Sequence, residues 1–253
     1  MTTIDLAPYS SYFSIITTVD SNNLSTGGTS DQDNVFLASN YSSFAANTAS
    51  SPDISFDSAT GRITAKATGT YLLVYIPTIT VAGGVGVVAR INKNGSTIFT
   101  STNPVAFSNT DPISITCQRV VDLTVGDYIE LTISADSTTA IQSQNGTSFT
   151  MLKANGDYAS IVQTGDGTAG SANTLEVIGD QDLADDGVTT NLNNVTYATA
   201  TGLLTPANTR PFLLLATLMA TSDTTSQETF IGVYANGSLV DGAAALIHQD
   251  NDP

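Results

Sequence analysis

The stretch Phe56–Ile76, FDSATGRITAKATGTYLLVYI, decides how this chain folds, because the chain contains it twice. From Tyr197 the same outline returns as YATATGLLTPANTRPFLLLAT. Ala59-Thr60-Gly61 is matched by Ala200-Thr201-Gly202, and Tyr71-Leu72-Leu73 by Phe212-Leu213-Leu214, both at an offset of 141. Asn94-Gly95-Ser96 follows in Asn236-Gly237-Ser238 at 142, and Tyr12–Ile16 is answered by Tyr158–Val162 at 146. One offset shared by separated blocks predicts two related domains in tandem.

Within the first copy, Ala59-Thr60-Gly61 reads as a tight turn. Ile63, Ala65 and Ala67 then alternate with Arg62, Thr64 and Lys66, the pattern of a half-buried strand. Thr68-Gly69 leads into Tyr71–Ile76, where both parities are apolar. A strand in an antiparallel sandwich commonly keeps one face wet, so this one requires a second cover. A neighbouring subunit would supply it, and so would a long loop over a central strand; periodicity does not separate the two. On the subunit alternative the contacts are Tyr71, Leu73 and Tyr75, with Phe212 and Leu214 in the second copy.

The turn, the polar-alternating strand, the Gly-x-Tyr opening of an apolar strand and the run Ile91-Asn92-Lys93-Asn94-Gly95 come first. Val121-Asp122-Leu123 and Gly126-Asp127-Tyr128-Ile129-x-Leu131 follow. Together they resemble the jelly roll of the tumour-necrosis-factor and complement-globular-head superfamily, over residues 10–152 in the first copy and the earlier part of the pattern in the second. The resemblance implies a compact trimer, and bacteriophage and spore-coat proteins are among those that use the fold. A collagen-like stalk is absent, which removes any argument for the immune ligands of the complement-type members.

The fold expected is all-β: two tandem jelly-roll-like antiparallel sandwiches, the second reduced or incomplete. Residues 1–9 form an N-terminal arm, 10–153 a complete jelly roll and 157–253 a shorter one, with a turn at 154–157 between them. In the first copy strands are expected at Tyr12–Val19, Val35–Phe44, Val85–Asn92, Ser96–Thr100, Ile113–Leu123, Tyr128–Ser134 and Ser148–Lys153. Loops are expected at 20–34, 45–53 and 102–111, and 137–147 reads as a polar stretch. An offset of 142 sets Pro253 opposite Asp111, so equivalents of 113–152 are missing from the second copy. A reduced sandwich, strands supplied by another chain, and a fragment each account for that.

Composition narrows the function. Twenty-three acidic against 7 basic residues give a net charge of −16, which repels phosphate backbones and anionic membranes and suits a cationic partner or a high-salt setting. No nucleic acid and no membrane partner is expected. The start of the chain has neither a basic segment nor an apolar run of leader length, so synthesis in the host cytoplasm is expected. Cys117, the single cysteine, lies on an apolar parity and reads as a buried hydrophobe.

Catalysis needs more than this chain offers. A nucleophile requires a base beside it, and the lone His248 sits five residues from the end in a solvated setting. Cys/His zinc sites lack ligands, and Gly83-Gly84 lacks the Lys-Ser/Thr of a phosphate loop. Carboxylates are plentiful, but the chain has no Trp to stack on sugars. The acidic run at 179–187 lacks the closing Glu of a calcium loop and reads as a solvated loop. The expectation is a non-enzymatic protein without cofactors, and the resemblance to a trimerising superfamily, taken with the tandem copies and the Ser/Thr/Asn/Gly-rich acidic composition, implies a bacteriophage capsid decoration protein on the virion surface. It would form homotrimers and bind the major capsid protein or another virion protein. The alternative is a receptor-binding or tail-fibre head that recognises a host surface glycan.

Overall fold

A computed structural model of the chain describes residues 11–21, 24, 33–40, 44–47, 52–81, 85–101, 105–107, 112–135, 141–154, 158–163, 188–198, 203–208, 227–236 and 238–249. These residues form strands and turns, with no helix among them. The first copy holds β1 (Tyr12–Thr17), β2 (Asp33–Asn34), β3 (Phe44–Asn47), β4 (Ile54–Asp57), β5 (Arg62–Ala65), β6 (Gly69–Ile76), β7 (Thr78–Val81) and β8 (Val85–Lys93). It continues with β9 (Ser96–Thr100), β10 (Val105–Phe107), β11 (Ile113–Ser114), β12 (Cys117–Leu123), β13 (Tyr128–Ala135), β14 (Ile141–Ser143) and β15 (Ser148–Lys153).

Two antiparallel sheets result. One runs β12-β6-β15-β1-β3; the other runs β10-β8-β13-β5-β4, with β9 also on β8 and β2 on β13. The chain crosses from β5 to β6 in the opposite sheet, back to β8, over to β12, back to β13 and over to β15. That alternation makes the first copy a jelly roll. Past Pro77 the order β11-β7-β14 repeats β12-β6-β15. Proline has no N–H for the ladder, and the Pro77 carbonyl instead accepts from Ile115 N–H at 3.0 Å.

Side chains of one parity meet between the sheets. Phe13, Ile15, Tyr71, Leu73, Tyr75, Phe149 and Met151 from the first sheet face Ile63, Ala89, Ile91, Ile129, Leu131 and Ile133 from the second, all fully buried. Two turns carry the positive φ that the glycine-containing sequences supply: Asn94 and Gly95 (52° and 79°) between β8 and β9, and Gly126 (93°) before β13. Gly61 has φ 68°, and a Cβ there would lie 2.6 Å from Asn34 Oδ1. Glycine lets Asn34 Nδ2 reach the Thr60 carbonyl at 3.1 Å.

Several local expectations are corrected. Residues 35–40 are turns, not strand, because Val35 and Phe36 dip into the core and Phe36 N–H donates to Asn34 Oδ1. The expected loops at 45–53 and 102–111 contain strand residues of β3 and β10, and the polar stretch 137–147 contains β14. The expected strand 113–123 is broken into β11 and β12. On β13 two side chains of the polar parity are buried as well: Thr132 is 5% and Ser134 0% exposed. Asn92 Nδ2 donates to Thr132 Oγ1, and Arg90 Nη1 to Ser134 Oγ, so hydrogen bonding permits their burial.

The second copy contains β16 (Tyr158–Gln163), β17 (Val188–Asn193), β18 (Val195–Ala198), β19 (Leu203–Pro206), β20 (Gln227–Ala235) and β21 (Ser238–Gln249), joined as three antiparallel pairs. β16 spans the positions of β1 shifted by 146, β18 and β19 those of β4 and β5 shifted by 141, and β20 those of β8 shifted by 142. Detail repeats too: Lys66 N–H to the Asp53 carbonyl (2.7 Å) is matched by Ala207 N–H to the Asn194 carbonyl (2.8 Å). Asn236 takes φ 51° where Asn94 takes 52°. The chain divides into two compact units, Met1–Leu213 and Leu214–Pro253. The arm at 1–9, the turn residues 155–157 and the acidic run at 179–187 lie outside the described residues.

Candidate assembly surface

The five-stranded sheet has a second face, and its register defines it. Leu72 stands opposite Val120 on β12 and Leu152 on β15, and Leu152 opposite Tyr12 on β1. The neighbouring row is Gln118, Val74, Thr150 and Ser14, and the next is Ile76, Ser148 and Ile16. None of these side chains is charged. Leu72, Val74, Ile76 and Val120 are half-buried and Ile16 is 44% exposed. Charge appears at the rim, where Thr70 Oγ1 donates to Asp122 Oδ1 at 2.6 Å.

This geometry corrects the expected contacts. Tyr71, Leu73 and Tyr75 are 0% exposed within the single chain, because their parity points between the sheets. Tyr71 also donates its hydroxyl to the Ala67 carbonyl at 2.7 Å, and burial pushes its pKa up to about 12. The parity left for a partner is Leu72, Val74 and Ile76. Phe212 and Leu214 lie outside the described residues. The signal that distinguishes the parities was present in the neighbours: Ser14, Gln118, Ser148 and Thr150 fall on the outer rows, while Phe13, Ile15, Phe149 and Met151 fall on the inner.

Polar clusters elsewhere hold the scaffold together. Asp127 accepts from Thr124 N–H at 2.8 Å, from Asn94 Nδ2 at 2.7 Å and from Lys93 Nζ at 3.0 Å. Asn94 Oδ1 in turn accepts from Tyr128 N–H at 2.9 Å. These bonds clamp the β8–β9 turn onto the β12–β13 turn, and they hold the Asp127 carboxyl well below the usual carboxylate range, the Thr124 amide contributing most. A depressed carboxylate pKa stabilises the fold above its unfolded value of about 3.9, and that contribution is lost as pH falls through the folded value. Asp127→Asn is therefore expected to lower the urea midpoint at pH 7 and to narrow its gap from the parent as the pH drops below about 4. Asp53, held low chiefly by the Ser11 hydroxyl and then by Lys153 at 3.1 Å, adds to the same acid sensitivity.

Reactive groups are few. Cys117 is fully buried, and desolvation pushes its thiol up to about 12, so it behaves as a hydrophobe. Among the described residues no group of three or more His, Cys, Asp or Glu side chains is placed to hold a metal ion. No helix among them is long and apolar enough to cross a membrane. Of His248 the structure gives the backbone position, in β21 opposite Glu228.

Fold and register define the first copy as an antiparallel jelly roll with one uncharged outer sheet face. No family model and no curated protein sequence matches the chain. Among solved structures, it is similar to murine APRIL at pH 5.0, with 19% identity over 56% of this chain and 98% of that one, at a TM-score of 0.39. The globular domain of zebrafish complement 1qA protein is 16% identical over 58% and 98%, at 0.37. Eiger TNF from S. frugiperda is 14% identical over 53% and 91%, at 0.35.

Proposed function

We propose that this chain is a structural protein that acts by passive contact: a homotrimer whose subunits meet through the outer face of β12-β6-β15-β1. We assign it to the surface of a bacteriophage capsid, bound to the major capsid protein or another virion protein. The observation that carries the assembly reading is the uncharged face on a chain of net charge −16. Acidic chains repel one another, and interface cores are depleted of charge. A sheet face whose rows from Leu72 to Ile76 carry no charge is where copies of such a chain can approach. Closed symmetry then limits the assembly, and three-fold is the state that the superfamily resemblance implies. The virion assignment rests on that resemblance together with the low-charge, Ser/Thr/Asn-rich composition.

Light scattering over a concentration and salt series tests the assembly. The mass expected is three times 26.1 kDa, held at least as firmly at high salt, because the face carries no ion pair to screen and the repulsion between acidic chains weakens. A monomer at all concentrations would overturn it. Co-sedimentation with capsids prepared without the protein tests the location; retention on host-surface glycan with no capsid binding would favour the receptor-binding alternative.

A further inference from the structure

The repeat shows which strand edge of the second copy is open among the described residues. β19 is the counterpart of β5, residue for residue at 141. In the first copy β5 lies between β4 and β13, with Ile63 opposite Ile129 and Thr64 opposite Tyr128. In the second, β19 pairs with β18 alone among the described residues. The consequence falls on the side chains: Ile63 is 0% exposed, whereas its counterpart Leu204 is 43% exposed and Leu203 beside it 59%.

Backbone direction makes the edge specific. Ala65 N–H donates to the Asp127 carbonyl on the β13 side at 2.9 Å. N–H groups alternate along a strand, so Ile63, and by the repeat Leu204, turns its N–H the same way. Pro206 replaces Ala65 and has no donor to offer, which stops pairing at that end and discourages two such edges from joining. Charge selects the partner. Residues 154–253 carry twelve acidic side chains and a single base, Arg210.

We propose that β19 is an acceptor for one extended, apolar-alternating, cationic segment of another polypeptide, which adds antiparallel to its free edge in the register that β13 takes on β5. Main-chain bonds at Leu204 would supply affinity and the apolar alternation would cover its side chain, as in strand addition to other sheet edges. That the segment comes from a virion protein rests on the function proposed above; the acceptor itself does not.

The test uses the full chain and a synthetic peptide of residues 124–135 carrying Asp127→Lys and Glu130→Lys, with the unsubstituted peptide beside it. Saturable binding of the lysine peptide is expected, weaker binding of the unsubstituted one, and amide exchange at Leu204 slowed by about tenfold or more on binding. Leu204→Pro removes the donor at the free edge and should abolish that binding; Leu204→Asp keeps the donor and should weaken it. Unchanged exchange at Leu73 checks that each variant keeps its core. The proposal is overturned if the Leu204 amide is already protected in the free chain, if neither peptide binds, or if both variants bind as the parent does. A trimer that takes no peptide overturns the acceptor alone, and a monomer that takes it overturns the assembly instead.

Discussion

Leu73→Ala is expected to cost about 2–5 kcal/mol of stability, the range for truncating a buried leucine in a close-packed core. Leu73 is fully buried on β6, with Arg119 of β12 opposite on one side and Met151 of β15 on the other. The strand is central, so the space left by three lost carbons is walled by paired backbone and collapses poorly. The upper part of the range applies if the sheets hold their spacing. Urea unfolding measures it; a change below about 1 kcal/mol, the scale of a surface substitution, would mean that Leu73 is not where the structure places it. Because its side chain does not reach the outer face, oligomeric mass at concentrations where the variant is folded should equal the parent's.

Leu72→Asp combined with Val120→Asp is the converse experiment, one residue along the same strand. These side chains stand opposite each other on the outer face, half-buried in the single chain. Water still solvates a carboxylate there in a monomer. In an assembly through this face the two carboxylates would be desolvated without partners, at several kcal/mol each, so association should weaken by a hundredfold or more. The expected result is a folded monomer whose melting temperature, measured at low concentration, moves by a few degrees at most. A trimer that survives both substitutions would remove the outer face from the assembly. Set beside Leu73→Ala, the pair separates the two parities of one strand: one holds the fold, the other holds copies together.

Much of this was legible in the residues. Alternation at Ile129, Leu131 and Ile133, the Asn94-Gly95 turn and the Gly126 turn needed only local rules, since a strand's period and a turn's φ are set by neighbours in sequence. The repeat was legible as well, and it reaches into the positions of β18, β19 and β20. Where reading failed, longer-range contacts had intervened. Val35 and Phe36 look like strand residues yet serve as core plugs in a turn. Thr132 and Ser134 look solvent-facing yet are buried through hydrogen bonds to Asn92 and Arg90, which lie some forty residues away in sequence.

What the sequence alone determined is the class of fold, the turns, the duplication and the acidity that makes an uncharged face meaningful. All of these follow from short-range sterics, periodicity and summed charge. Which face of Tyr71–Ile76 is the core was a tertiary decision. A strand with apolar residues on both parities carries no local mark of inside and outside, and the choice is made by the opposing sheet. Ile63, Ile91 and Leu131 can fill one side, and only one, leaving Leu72, Val74 and Ile76 to whatever meets the chain from without.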